Sequence, residues 1–235
     1  MVQKINECII IGGGSSIKEG INLGLKDFLK DKFVIACNYA YKHFLHTFMC
    51  FVDRDFYVPS YAKKFPEKNP DIYEELKNES LIIGANHSGI SEFKLPNTIL
   101  IKAIPVLKPI QSSTEGFYTK NFLTESFALS LACYLLNYSG RIFLLGFDWT
   151  QEGNTHYYAK EEFNHRGIGY TNSYNKHNPN YVFKPYLQFK NLSIYNISLI
   201  SNITCFQKIT YSNMFSSNIK SSTISLEYIK SQFVL

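Results

Sequence analysis

Three groups of residues in this chain carry types and spacings suited to chemistry. The first is the corner Gly12-Gly13-Gly14-Ser15, which follows the apolar run Cys8-Ile9-Ile10-Ile11 and precedes helically spaced Ile17 and Ile21. Glycine lets the backbone approach a ligand closely, and a helix start offers unpaired N–H groups and a positive dipole end. That combination suits a phosphate, although a βα turn needing glycine only for its geometry has the same sequence. The spacing is not the dinucleotide fingerprint. Gly12 and Gly14 fit its first two positions, but position 17 is Ile and the next glycine is Gly20, so NAD is the poorer choice of nucleotide.

The second group lies just after short apolar runs, where a parallel sheet presents its ligand-binding edge. Asp53-Arg54-Asp55 follows the run Thr47–Val52. Such a D-x-D could hold Mg²⁺ on a diphosphate. Alternate residues leaving a strand point to opposite sides, so both carboxylates address one ion only where the chain turns; salt bridging with Arg54 or Lys63 is the competing reading. Asp148, after the run Arg141–Gly146, is the strongest single candidate, the alternative being a cap on its exit loop. Asn38, after Phe33–Cys37, could hydrogen-bond a base or ribose edge or cap the following turn. Thr124 precedes a helix that is apolar nearly all round, hence buried, and reads as its N-cap.

The third group is the polar and aromatic stretch 151–181, with His156, Tyr157, Tyr158, His165, Arg166 and His177. It is too long for an idle connection. Histidine serves as a general base near neutral pH, and tyrosine can hold a phosphate or stack on a base.

These groups need a scaffold. The chain of 235 residues is read as a single domain, 1–235, with no internal repeat or low-complexity linker. Apolar runs alternate with helical patterns: a run ending at Ile11, a crossover helix to Lys30, runs at Phe33–Cys37, Thr47–Val52, Leu81–Gly84 and Thr98–Ile101, the buried helix Asn121–Tyr138, the run Arg141–Gly146, and a last strand Ser193–Ile197. That alternation predicts an α/β fold with a doubly wound, mostly parallel, Rossmann-like sheet. Residues 103–120 and 151–181 are expected as lid or acceptor loops, and 216–235 as a C-terminal helical tail.

The net charge of +5 is mild and its cations are scattered, which argues against a nucleic-acid partner and suits an anionic small molecule. Five cysteines lie singly without a C-x-x-C pair, as expected of buried free thiols in a reducing, cytoplasmic setting. The N-terminus leads directly into a strand, so no signal peptide is expected. No apolar stretch reaches about 18 residues, so no membrane span is expected either.

Taken in order, IIGGGSSI, ACNYAY, FVDRDF, RIFLLGFDW, GNTHYY and SIYNISLISNITCF resemble the Rossmann-type domain of MptE-like proteins. That family is named for a 6-hydroxymethylpterin pyrophosphokinase and has phage members, so a viral origin fits. Its core is similar to those of bacterial sialyltransferases and flagellin-modifying glycosyltransferases. The resemblance spans nearly the whole chain; its weight lies in the order of the segments. Ser15 stands where the family usually has proline, and Thr124-Glu125-Ser126 where it often has Asn-Ser-Gly.

The sialyltransferase side of the resemblance implies a nucleotide-activated, CMP-type sugar held by Gly12, Gly13, Gly14, Ser15, Asn38, Thr124 and Ser126. It implies that Tyr157 and Tyr158 hold the phosphate and that His156 or His165 is the base, with a small-molecule or glycan acceptor. The MptE side implies an ATP-dependent diphosphokinase acting on a pterin-like alcohol, with Mg²⁺ on Asp53, Asp55 and Asp148. A non-catalytic nucleotide- or sugar-binding module is the third expectation.

Overall fold

A computed structural model describes residues 5–52, 75–86, 97–120, 123–150, 178–221 and 224–233. The described residues build one nine-stranded sheet. Its strands are β1 (Glu7–Ile11), β2 (Val34–Cys37), β3 (Phe48–Phe51), β4 (Ile82–Asn86), β5 (Thr98–Ile104), β6 (Phe117–Tyr118), β7 (Gly140–Leu145), β8 (Leu192–Asn196) and β9 (Gln207–Lys208). Every neighbouring pair is parallel, in the order β6-β5-β4-β3-β2-β1-β7-β8-β9. The chain therefore builds outward from β1 to β6, then returns to the other side of β1 and builds outward again. The reversal lies between β1 and β7, which is where sheets of this kind open a crevice at the carboxyl ends of their strands.

The central strands are buried on both faces, as expected when helices cover both sides of a parallel sheet. In β1 the alternation splits the apolar run: Cys8 and Ile10 join one core, Ile9 and Ile11 the other. Helix α3 (Thr124–Leu135) covers the first face, packing against β1, β2, β3 and β6. Helix α6 (Leu226–Phe233) joins it there, with Phe233 against Phe117 and Tyr134. Helices α1 (Ile17–Asn22), α2 (Leu25–Phe28) and α5 (Tyr211–Ser216) cover the second face. Phe28 and Phe215 meet there with ring centroids 4.6 Å apart. Helix α4 (Pro179–Phe183), capped by the Asn178 side chain, returns Val182 and Phe183 to the first core. The doubly wound, Rossmann-like α/β architecture is thus present, and all strands of the described sheet are parallel.

Several elements differ from the sequence expectation. The predicted crossover helix to Lys30 is broken after α1, because Gly24 takes a left-handed conformation at φ 91°; the apolar periodicity continues across the break and hides it. Residues 105–112 are irregular as expected, but Ala103 and Ile104 belong to β5, and Phe117 and Tyr118 form the short edge strand β6. β8 is not the last strand, since the two-residue β9 follows it. α5 forms where no helix was read; Thr210 caps it by accepting from the Asn213 N–H. The C-terminal tail is helical only over α6 within its described part.

The opposite, N-terminal edge of the sheet is closed by a part-buried ion pair. Glu7 bonds the Arg141 guanidinium across β1 and β7, and its second carboxylate oxygen accepts from the Lys220 N–H at 2.7 Å. Arg141 also donates to Ser217 O at 3.1 Å. One carboxylate thereby joins two strands to the segment between α5 and α6. All five cysteines are free; burial pushes the Cys8, Cys37 and Cys133 thiols up, and Cys205, the least buried, is pushed up to about 11.

Two stability outcomes follow from this packing. Arg141→Ala leaves Glu7 buried without its cation and should cost about 2 kcal/mol, less than a fully buried pair because Arg141 is partly exposed. Hydrogen exchange at residues 217–221 should accelerate in that variant; unchanged protection there would refute the lock. Among the described residues the buried Tyr211 hydroxyl has no hydrogen-bond partner, and Tyr211→Phe removes it while keeping the ring that packs on Gly20. Denaturant unfolding should find that variant as stable as the parent or about 1 kcal/mol more so. A loss of 1 kcal/mol or more would show that the hydroxyl is satisfied.

Candidate functional site

The glycine corner and Asp148 flank the reversal of strand order and are bonded to each other. Gly12 N–H donates to Leu145 O at 2.8 Å and Gly14 N–H to Gly146 O at 2.9 Å, which zips the corner to the end of β7. Asp148 then turns its carboxylate into the corner. Its Oδ2 accepts from the Ser16 N–H at 2.8 Å and from the Ser15 hydroxyl at 3.4 Å; its Oδ1 accepts from the Ser16 hydroxyl at 2.5 Å. Asp148 is only 5% exposed. A carboxylate at the first turn of α1 is favoured by the unpaired N–H groups and dipole of that end.

This contact explains why the corner is glycine. A Cβ on Gly14 would sit 2.5 Å from Asp148 Oδ2 and 2.6 Å from Gly146 O. A Cβ on Gly12 would meet Gly146 O at 2.9 Å. The glycines let two loops and a carboxylate meet at contact distance.

The second wall comes from β2 and α3. Asn38 follows β2 directly and adopts φ 49°, a left-handed conformation in which Asn is one of the few tolerated residues. Its Oδ1 accepts from the Thr124 hydroxyl at 3.2 Å. Thr124 is the first residue of α3 rather than its N-cap, which is Leu123. Its hydroxyl reaches across to the β2 loop instead of satisfying its own helix. The Ser126 hydroxyl is fully buried and works locally. It donates to Leu123 O at 2.9 Å and accepts from the Lys120 N–H at 3.1 Å, fastening the entry to α3.

A third group, not singled out from the sequence, supports the Asp148 loop from below. Asn196, at the end of β8, is fully buried; its amide donates to the Ser201 hydroxyl at 2.9 Å and its Oδ1 accepts from the Ser198 N–H at 3.1 Å. The Ser201 hydroxyl donates to Phe147 O at 2.6 Å. Asn202 N–H donates to Asp148 O at 2.9 Å, and its amide to Trp149 O at 2.7 Å. These bonds hold Trp149 at φ 50°, a second left-handed non-glycine residue on this edge. The signal in the sequence was a polar Asn inside the apolar run SIYNI, followed by Ser and Asn at short intervals. Ser16 was visible only as the neighbour of Ser15.

Gly12, Gly13, Gly14, Ser15 and Asp148 are therefore brought together, with Asn38, Thr124 and Ser126 on the adjoining wall. Asp53, Asp55, His156, Tyr157, Tyr158 and His165 lie outside the described residues. Among the described residues, no three His, Cys, Asp or Glu side chains converge as metal ligands. None of the described helices is long and apolar enough to cross a membrane.

No protein-family model matches the chain, and no curated protein matches it. The fold is similar to that of the sialyltransferase CstII from Campylobacter jejuni, solved in complex with a substrate analogue, cytidine-5'-monophosphate. The TM-score is 0.47 and the identity 15%, over 97% of each chain. None of these three comparisons supports the MptE-like assignment.

The coupling of the corner to Asp148 is measurable. Gly14→Ala should cost about 3 kcal/mol, since backbone and carboxylate must both move to admit the methyl group. Ser16→Ala and Asp148→Asn should each cost about 1–2 kcal/mol in denaturant unfolding. Their double variant should cost less than the sum by about 1 kcal/mol, the signature of one shared interaction. Strict additivity would mean that the Ser16–Asp148 bond contributes nothing.

Proposed function

We propose that the chain is a nucleotide-dependent transferase, a glycosyltransferase using a CMP-type activated sugar. The observation that carries this reading is that two of the five left-handed non-glycine residues among those described, Asn38 and Trp149, stand on the β2 and β7 loops beside the reversal of strand order, the other three, Asn137, Tyr138 and Asn218, lying at turns away from that edge. Residues held in such conformations cost free energy and gather at ligand sites, and the reversal is where doubly wound sheets bind nucleotides. The order of sequence segments supports a sugar nucleotide over a dinucleotide.

In this reading the backbone of Gly12, Gly13 and Gly14 and the Asn38–Thr124 wall hold the nucleoside. Asn38 is already oriented by Thr124 and so loses little freedom on binding. Ser15 and Asp148 act on the corner itself: Asp148 positions it, and its carboxylate is committed to Ser15 and Ser16. Ser126 holds the first turn of α3 in place. Tyr157 and Tyr158 meet the phosphate charge that develops as the sugar leaves, a role hydroxyl donors can fill. His156 or His165 takes the proton from the acceptor hydroxyl. The sugar's anomeric bond to the phosphate breaks, its bond to the acceptor oxygen forms, and CMP departs.

Thermal unfolding with CMP, UDP, GDP or ATP, each with and without Mg²⁺, tests this reading. At about a hundredfold excess over Kd, a ligand bound only by the folded state adds about 2.7 kcal/mol. For a chain of this size that raises Tm by about 5–10 °C. CMP should do so without Mg²⁺ and the others should not. A shift that requires ATP and Mg²⁺ together would instead favour the diphosphokinase with Asp53 and Asp55 as ligands, and no shift with any nucleotide would sink both. CMP release from CMP-sugars should fall at least about a hundredfold in either His156→Ala or His165→Ala, with the CMP-induced shift unchanged. Full turnover in both variants would refute the histidine base.

A further inference from the structure

The β8 side of the same sheet edge holds two consecutive aliphatic side chains in water. Leu199 and Ile200, on the turn after β8, are each 57% exposed. The turn beneath them is fastened on both sides. Lys208 Nζ donates to Leu199 O at 3.1 Å and to Ser201 O at 2.5 Å. Ser201 and Asn202 are bonded to the β7 loop. A loose loop could fold such side chains back onto the protein; this one holds them out.

An aromatic residue and two lysines adjoin the tip. Asn180 Oδ1 accepts from the Thr204 and Cys205 N–H groups, both at 2.9 Å, which sews α4 to the segment after the tip. Its neighbour Tyr181 is 65% exposed, with the Lys120 ammonium 4.7 Å from its ring centroid. Lys184, exposed at the end of α4, is close enough to act electrostatically on Cys205. The sequence sharpens this picture. From Phe163 to Leu226 there is no Asp or Glu, while Lys184, Lys190, Lys208 and Lys220 all fall in that span.

We propose that this rim docks the protein on an anionic lipid bilayer. Leu199 and Ile200 enter the boundary between headgroups and acyl chains, Tyr181 lies at headgroup level with its hydroxyl toward water, and Lys120 and Lys184 face the lipid phosphates, while Lys208 stays on the carbonyls that hold the tip. Apolar tips flanked by lysine and an interfacial aromatic are the combination that binds bilayer surfaces without spanning them. Anionic lipid adds a favourable term for each nearby cation. A nucleic acid would meet the lysines and stack on Tyr181 equally well, but it would leave Leu199 and Ile200 without an apolar partner. Docking in this way would turn the open edge of the sheet, and with it the β7 loop, toward the membrane. It does not depend on the chemistry proposed above.

Co-sedimentation of the full chain with vesicles tests the proposal. The protein should sediment with vesicles of phosphatidylcholine mixed with phosphatidylglycerol, and at least about tenfold less with phosphatidylcholine alone. The double variant Leu199→Ser/Ile200→Ser should bind the mixed vesicles about tenfold or more weakly, with Tm unchanged because both side chains start in water. Lys184→Ala should weaken binding about fivefold. Failure of the parent to sediment with mixed vesicles would overturn the proposal. So would equal binding by the double variant, which would leave only a general attraction to polyanions. The nucleotide-induced Tm shift reads the transferase proposal separately, so either can fail alone.

Discussion

One carboxylate holds the working edge of this fold together. Asp148 leaves β7, enters the first turn of α1 and bonds Ser15 and Ser16, so that the loops after β1 and β7 become one unit. Those two strands lie on either side of the reversal in strand order. Left to itself, the reversal leaves a gap between loops that run to opposite sides of the sheet. Asp148 closes its floor. Everything nearby is arranged to permit the contact: Gly12 and Gly14 have no side chain to obstruct it, and Gly146 turns the β7 exit at φ 69°. Ser201, backed by Asn196, and Asn202 hold the carbonyls of Phe147, Asp148 and Trp149, which fixes the backbone from which the Asp148 side chain points.

The same contact fixes how free energy is distributed along the edge. A buried carboxylate is costly unless donors surround it. Here two serines and a backbone amide do so, and the first turn of α1 contributes its dipole. The surrounding loops can then hold Asn38 and Trp149 in left-handed conformations that would relax in a looser frame. At the opposite edge, Glu7 and Arg141 perform a related task, joining the same two strands to the segment before α6. Strands β1 and β7 are thus pinned at both ends, once by an ion pair and once by a hydrogen-bonded carboxylate.

The sheet was legible in the sequence because its signals are local. Short apolar runs followed by glycine or polar residues mark β1, β2, β3, β7 and β8 nearly to the residue. Two-residue strands such as β6 and β9 carry no periodicity and exist only through their neighbours, so nothing in FY or QK announced them. The break between α1 and α2 was hidden because Ile21, Leu25 and Phe28 keep helical spacing on either side of Gly24. Asp148 could be picked out by its place after an apolar run, but its partner could not, since Ser16 lies 132 residues away. Thr124 was read as a helix cap from its position. Its hydroxyl is instead directed to Asn38, a choice made by the packing of α3 on β2.

The engagement of Asp148 also changes what the glycine corner can offer a ligand. In a phosphate-binding corner the amides at the start of the helix point at the ligand. Here the Ser16 amide is already donated to a carboxylate, and that carboxylate places negative charge where a phosphate would otherwise lie. Anion recognition on this edge, under the transferase reading, therefore falls to groups farther along it, while the corner sets the shape of the floor. Under that same reading the Asn38–Thr124 wall presents an amide and a hydroxyl, groups that match a base or ribose better than a phosphate.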